Sequence, residues 1–176
     1  MKLTKIKEFA IVGAGQGAPK KDSDFSETGI PFIRAGSLEK LINGVNEEKL
    51  ELIQEETAKK YKLKLYPSGT VVFAKSGMSA TKNRIYKLKQ PCYVVNHLAT
   101  LQPIKNVFSD YLVYALYRNK PSQLINDSAY PSISQKVIEE YKIPIPGNYD
   151  DQIRIATLLS RAEALIAKRK ESIRLL

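Results

Sequence analysis

The chain has 176 residues, 43% hydrophobic and 26% charged, a composition that suits one soluble globular core with at most a small appendage. A single cysteine, Cys92, excludes an internal disulfide framework, and together with the sole histidine, His97, it supplies too few soft ligands for a zinc site. The net charge of +10 points to a polyanionic partner, and no apolar run approaches the ~18 residues of a membrane span, so a cytoplasmic location is expected.

Glu8 to Gly13 is a short apolar run ending in glycine and predicts a strand. Gly13, Gly15 and Ala18 then fall in the G-x-G-x-x-A spacing of a dinucleotide-binding turn. That chemistry needs a helix to start there, so that its amides and dipole meet a pyrophosphate. Pro19-Lys20-Lys21-Asp22 follows instead, with no apolar periodicity through Gly29, which favours a loop whose lysines meet phosphates. Pro31 to Ala35 predicts a second strand. Leu50 to Ile53 reads either within a helix over residues 46–60 or as a strand leading into a short helix. Pro67-Ser68-Gly69 marks a turn into a strand from Thr70 to Ala74, which Ser76-Gly77-Met78-Ser79 breaks. Ile85 to Leu88 alternates as a half-exposed strand would, and Cys92 to Leu101 supplies one or two more.

Tyr111 to Tyr117 has helical spacing, with Ser109 or Asp110 available as N-cap. A second helix is expected from about Ser132, with Gln135 as capping-box partner, ending before Ile143-Pro144-Ile145-Pro146. Those prolines bar a helix and divide the chain into residues 1–147 and 148–176. Past them, Asp150 or Asp151 caps a last helix running to Leu176, 26 residues from Asp151 or roughly 39 Å long. Ile155, Leu158, Leu159, Ala162, Leu165, Ile166, Ile173 and Leu176 follow a three-four repeat, interrupted at Arg169 and Ser172. Such a seam fits docking on another helix, with Ile155, Leu159, Ala162, Ile166 and Ile173 as its contacts.

The charge is segregated. No acid occurs from Thr57 to Ser109, where Lys59, Lys60, Lys62, Lys64, Lys75, Lys82, Arg84, Lys87, Lys89 and Lys105 fall, interleaved with Tyr61, Tyr66, Tyr86 and Tyr93. All 18 acidic residues lie outside that window, facing the other 18 basic ones, so the whole excess sits inside it. A basic stretch laced with tyrosine is the footprint of a nucleic-acid binder. Lys20, Lys21, Lys75, Lys82 and Lys87 are candidates for phosphate contacts. Arg34, Asn83, Arg84 and Asn96 carry the forked or amide groups that read base edges, although Arg34 and Asn96 could equally be framework residues. Ser76, in the glycine loop, and Tyr130, before Pro131-Ser132, are further DNA-contact candidates.

Parts for catalysis are missing from the sequence. There is no Walker lysine loop, Glu47-Glu48-Lys49 has no evident partner acid for a metal-dependent nuclease, and His97 has no G-x-S-x-G serine to serve. Neither a cofactor nor a metal is expected.

Several blocks, in order, resemble the specificity subunits of type I restriction–modification systems. Gly29-Ile30-Pro31-Phe32-Ile33-Arg34-Ala35-Gly36 resembles that family's early G-x-P-F-I-R-x-G block. Pro67 to Gly77 is similar to its proline-glycine turn, buried strand and glycine loop, and Val95-Asn96-His97-Leu98-Ala99 to its N-x-x-x-A strand region. Pro131-Ser132-Ile133, Ile143-Pro144-Ile145-Pro146 and Gln152-Ile153-Arg154-Ile155-Ala156 resemble the junction into its conserved helix. The resemblance implies an α+β target-recognition domain with a mixed or antiparallel sheet, followed by a long coiled-coil spacer helix. It implies double-stranded DNA as ligand, and methyltransferase and restriction subunits as partners that carry the chemistry. In that family two such domains and two helices make a full subunit, so one domain and one helix imply a half-subunit, or a fragment of a longer one, that pairs as a homodimer or with a second half. Adenine methylation uses an Asn/Asp-Pro-Pro-aromatic motif, and the nearest approach, Asn126-Asp127-Ser128-Ala129-Tyr130, has no Pro-Pro. The rival readings are a nucleotide-dependent oxidoreductase built on the Gly13-Gly15-Ala18 loop and a general RNA-binding module.

Overall fold

Each short apolar run before Tyr111 becomes a strand, because a run of four to six residues can bury itself only by pairing with others. The structure is a computed structural model that describes residues 2–104 and 106–174. Lys105 of the basic window and Leu176 of the apolar seam lie outside the described residues. In chain order the elements are β1 (Lys2–Lys5), β2 (Ala10–Ala14), β3 (Ile30–Ile33), α1 (Ser37–Ile42), β4 (Leu52–Ile53), α2 (Glu55–Lys60), β5 (Leu65–Tyr66), β6 (Val71–Ala74) and β7 (Ile85–Lys87). They continue with β8 (Cys92–Val94), β9 (Leu98–Pro103), α3 (Ser109–Arg118), α4 (Gln135–Glu140), β10 (Lys142–Ile145) and α5 (Tyr149–Arg174).

The central layer is an antiparallel sheet in the order β2-β9-β6-β7. A second sheet, β4-β3-β8-β5, covers one face; it is mixed, since β3 and β8 run parallel. Alternation along β6 sends Val71 and Phe73 to one core and Val72 and Ala74 to the other, and all four are buried. The first core joins Val71 and Phe73 to Leu112 and Leu116 of α3, Ile138 of α4 and Ile143 of β10. The second joins Val72 to Phe32, Ile33, Leu38 and Val94.

Burial on both faces corrects one expectation. Ile85 to Leu88 alternates in sequence, yet Ile85, Tyr86 and Leu88 are all buried and only Lys87 is partly exposed, because α3 packs beside β7 on one face and α1 beside it on the other. Residues 46–60 follow the strand-then-helix alternative, as β4 and α2. The α4 cap is Ser134, whose side chain accepts from Val137 N, two residues beyond the expected Ser132. Ile143 to Ile145, expected as a bare boundary, is a strand pairing antiparallel with β1, Pro144 opposite Leu3. Proline is tolerated because this ribbon has two strands and both are edges.

The last helix starts at Tyr149, and Asn148 Oδ1 accepts from Asp150 N at 3.0 Å, so asparagine does the capping expected of the aspartates. Its first two turns belong to the domain. Gln152 is fully buried, its Nε2 donating to the carbonyls of Asn106 (2.9 Å) and Pro146 (3.0 Å) and its Oε1 accepting from Phe108 N (2.9 Å). Ala156 is buried beside it, and farther out Tyr114 of α3 donates to Glu163 at 2.8 Å. Among the described residues no helix is long and apolar enough to cross a membrane.

Candidate nucleic-acid interface

Antiparallel pairing decides which loops meet. Ala14 at the end of β2 faces Ala99, and Ala74 at the end of β6 faces Leu98, so β2 and β6 end where β9 begins. Parallel β3 and β8 end at the same place, Ile33 opposite Val94, and Gln16 bridges to Val95. The loops after β2, β3, β6 and β8 therefore leave one edge of the molecule. Residues 129–132 clamp onto that edge from a distant part of the chain: Gly77 N donates to the Pro131 carbonyl (2.9 Å), and Ile133 N donates to the Lys75 carbonyl (2.8 Å).

Lys20, Lys21, Lys75, Ser76, Lys82, Asn96 and Tyr130 belong to these loops. Tyr130 is 82% exposed and lies with Met78, 65% exposed, around a shallow apolar depression lined also by Gly77, Ala129, Pro131 and Ser132. Asn96 is exposed while its backbone N donates to the Gln16 carbonyl at 2.8 Å. The lysine loop after β2 is pinned from behind. Asp24 N donates to the Lys21 carbonyl (3.0 Å), while the Asp24 carboxylate accepts from Tyr61 Oη (2.6 Å) and Lys60 Nζ (3.0 Å). The Tyr61 hydroxyl first, and Lys60 second, hold that carboxyl below its usual range.

The other candidates are engaged within the protein. Lys87 points from the far end of β7, opposite Val71, and pairs with Asp110 at 2.5 Å. Arg84 pairs with Glu39 of α1 at 2.6 Å. Arg34 pairs with Glu51 and stacks over the rings of Phe25 and Phe32 at 5.2 and 5.4 Å. Asn83 sits at φ +49°, and its Oδ1 accepts from Ser122 N at 2.9 Å. The acid-free window is thus partly neutralised by acids from elsewhere: Lys59 pairs with Glu55, Lys60 with Asp24, Arg84 with Glu39 and Lys87 with Asp110. No ion pair among the described residues involves Lys20, Lys21, Lys75 or Lys82.

Residue-type reasoning left Met78 and Gln16 out of the site. Gln16 Oε1 accepts from Lys64 N at 2.8 Å, holding the second loop segment to the first. The one signal for Met78 was its place between the glycine loop and Ser79, where no core could claim it. The glycines of the dinucleotide-like turn have a packing cause. A Cβ on Gly15 would come within 1.9 Å of the Val94 carbonyl oxygen, so the strand end crosses β8 only without a side chain. No helix follows until a single 3-10 turn at Asp22–Asp24, which leaves no helix N-terminus for a pyrophosphate. Among the described residues there is no cluster of three or more His, Cys, Asp or Glu side chains able to hold a metal.

Comparison with known proteins adds the decisive observation: the model of the type I restriction modification DNA specificity domain matches residues 1–175. The chain belongs to this family. The type I restriction enzyme MjaIX specificity subunit of Methanocaldococcus jannaschii is 29% identical over 147 residues, 82% of this chain and 33% of that protein. The fold of the HsdS subunit from Thermoanaerobacter tengcongensis superposes with a TM-score of 0.69 at 20% identity, over 97% of this chain and 39% of that one. A chain from a type I R-M system, solved for its complex assembly and conformational transition, gives 0.72 at 19% identity, over 97% and 40%. The S subunit from M. genitalium gives 0.65 at 16% identity, over 99% and 42%. This specificity domain therefore spans about a third of the curated relative and two fifths of the solved chains. These likenesses establish the fold, an α+β domain carrying a long C-terminal helix.

Proposed function

We propose that this chain reads double-stranded DNA sequence as one recognition half of a type I restriction–modification specificity subunit, in the cytoplasm, and directs methyltransferase and restriction subunits that do the chemistry. The observation that carries this is the convergence of Lys20, Lys21, Lys75 and Lys82, the lysines at this edge without an ion pair, with Asn96, Ser76 and Tyr130 at the loop edge of a DNA specificity domain. The lysines contact phosphates, while the amide, hydroxyl and phenol groups reach base edges. Arg34, Asn83 and Arg84 hold the framework behind the loops by their internal partners, and Lys87 braces the opposite end of β7 through Asp110.

Residues 1–147 form the reading domain and 148–176 the spacer. Leu158, Leu159, Leu165, Ile166 and Ile173 project from α5 at 42–69% exposure, and Ala162 is exposed between them, so these outer turns pair with a second helix. Ile155 differs: it is partly buried against its own domain and serves the junction as well as the seam. A second copy or a second half-subunit is the partner, and burying the seam contributes several kcal/mol at ~25 cal/mol per Å², less the entropy of association.

A salt series of duplex binding tests the reading. Four phosphate-contacting lysines give a log–log slope of about −3 to −4. A slope near zero, or tighter binding to RNA of the same sequence than to duplex DNA, would refute it.

A further inference from the structure

His97 is the only histidine in the chain and lies exposed in the turn between β8 and β9, at the edge where the loops converge. Two contacts hold it. Its Nδ1 shares a hydrogen bond of 2.8 Å with Ser76 Oγ, and its carbonyl accepts from Lys75 N at 2.9 Å. The other ring nitrogen, Nε2, has no hydrogen-bond partner among the described residues.

We propose that His97 is a proton-linked DNA contact: it binds as imidazolium, Nδ1–H donating to Ser76 Oγ and Nε2–H donating to a hydrogen-bond acceptor of the duplex. That acceptor is a phosphate oxygen or the N7/O6 edge of guanine. The proposal rests on the DNA-reading function above. Its physical basis is the choice of a hydroxyl as the second member of the pair. Ser76 can donate to a neutral Nδ1 or accept from a protonated one, so the ring keeps its orientation in either state. Histidine is also the side-chain type that ordinarily changes charge between about pH 5 and 8.

The charged groups on the elements meeting here are mostly positive or already satisfied. Lys75 precedes Ser76, and Lys20 and Lys21 lie on the loop after β2, which also carries Asp24, held by Tyr61 and Lys60, and the exposed acids Asp22 and Glu27 farther along. Arg34, just after β3, is neutralised by Glu51, and Asp127, just before the clamping segment, accepts from Ala129 N at 2.8 Å. Lys82 follows Ser76 on the next 3-10 turn. No carboxylate forms an ion pair with His97 among the described residues. A phosphate-rich ligand supplies the counter-charge that the protein withholds. DNA then favours the charged ring, the complex takes up as much as one proton, and affinity rises as pH falls through the histidine range.

Fluorescence anisotropy of the full chain, alone and assembled with its methyltransferase subunit, tests this with a random-sequence duplex pool and with duplexes enriched from that pool. Affinity at about pH 6 should exceed that at about pH 8 by roughly fivefold, because the duplex favours the charged ring over the neutral one. His97→Gln retains a hydrogen-bonding amide but cannot titrate, and should bind independently of pH with an unchanged melting temperature. A pH effect on the whole pool identifies a phosphate acceptor, and one confined to enriched duplexes identifies a guanine edge. The sole histidine Cε1–H resonance gives a direct check, since at a fixed pH near neutrality it must move toward the imidazolium position when duplex is added. Salt-sensitive binding that is flat in pH, or a pH effect that survives in His97→Gln, would overturn the role of His97 and leave DNA reading intact. Failure to bind either duplex at low salt would overturn both.

Discussion

The loop edge of the central sheet and the outer turns of α5 both project side chains without partners, and the two sets are opposite in kind. At the edge they are lysines, the Asn96 amide and a tyrosine; along the helix they are leucines and isoleucines. The same fold that neutralises Lys60, Arg84 and Lys87 with distant acids, and Lys59 with its helix neighbour Glu55, leaves the edge lysines unneutralised. It also buries Gln152 and Ala156 while leaving Leu159 and Ile166 bare, about one and about three turns farther on. What a region lacks defines what can cover it. A polar, cationic edge is stable in water and gains from a polyanion, whereas an apolar seam gains only from another apolar surface.

The sharpest test of this contrast is at the junction between the regions. Gln152→Leu strands Phe108 N and the carbonyls of Asn106 and Pro146 in a buried site. A loss of about 3 kcal/mol or more in urea unfolding is expected. An unchanged midpoint would mean that α5 is not anchored in the domain.

Replacing Lys20, Lys21, Lys75 and Lys82 together by alanine should come next in size. DNA affinity should fall by about two orders of magnitude, with the log–log salt slope reduced by roughly 0.9 for each lysine. Replacing Lys59, Lys60 and Lys87, which are ion-paired, should cost less per residue in the same titration. Equal losses per residue would erase the distinction between free and neutralised lysines.

On the helix, Leu159→Asp with Ile166→Asp should abolish self-association in sedimentation at tens of micromolar while leaving domain stability within about 0.5 kcal/mol. Unaltered chains that sediment as monomers, or a variant that unfolds, would break the apolar half of the comparison.

The smallest effect belongs to an ion-paired carboxylate that is part of neither region. Hydrogen bonds from Lys5 and then Lys7 lower the Glu140 carboxyl from 4.5 to about 2. A lowered folded-state pKa stabilises above the unfolded value and loses that contribution as pH falls through the folded one. Glu140→Gln should therefore melt like the unaltered chain near pH 2 and slightly below it above about pH 4.5, as thermal melts across that range would show.

Much of this was legible along the chain because it depends on neighbours in sequence. Apolar runs bounded by glycine and proline marked β2, β3 and β6, the three-four repeat marked α5, and the absence of acids from Thr57 to Ser109 marked the basic region. Ile85 to Leu88 shows where local pattern stops: its alternation is that of a half-exposed strand, yet elements brought from both sides cover it. The candidate site divides in the same way. Lys75 and Lys82 stand out by charge alone, but nothing near Arg84 in sequence reveals that Glu39 neutralises it, nor does anything near Ser76 predict its bond to His97. The composition and periodicity of the chain determined which residues could serve a polyanion or a second helix. Only the tertiary structure decided which of them were left free to do so, because an ion pair or a buried face is made between residues that the fold, and not the chain, brings together.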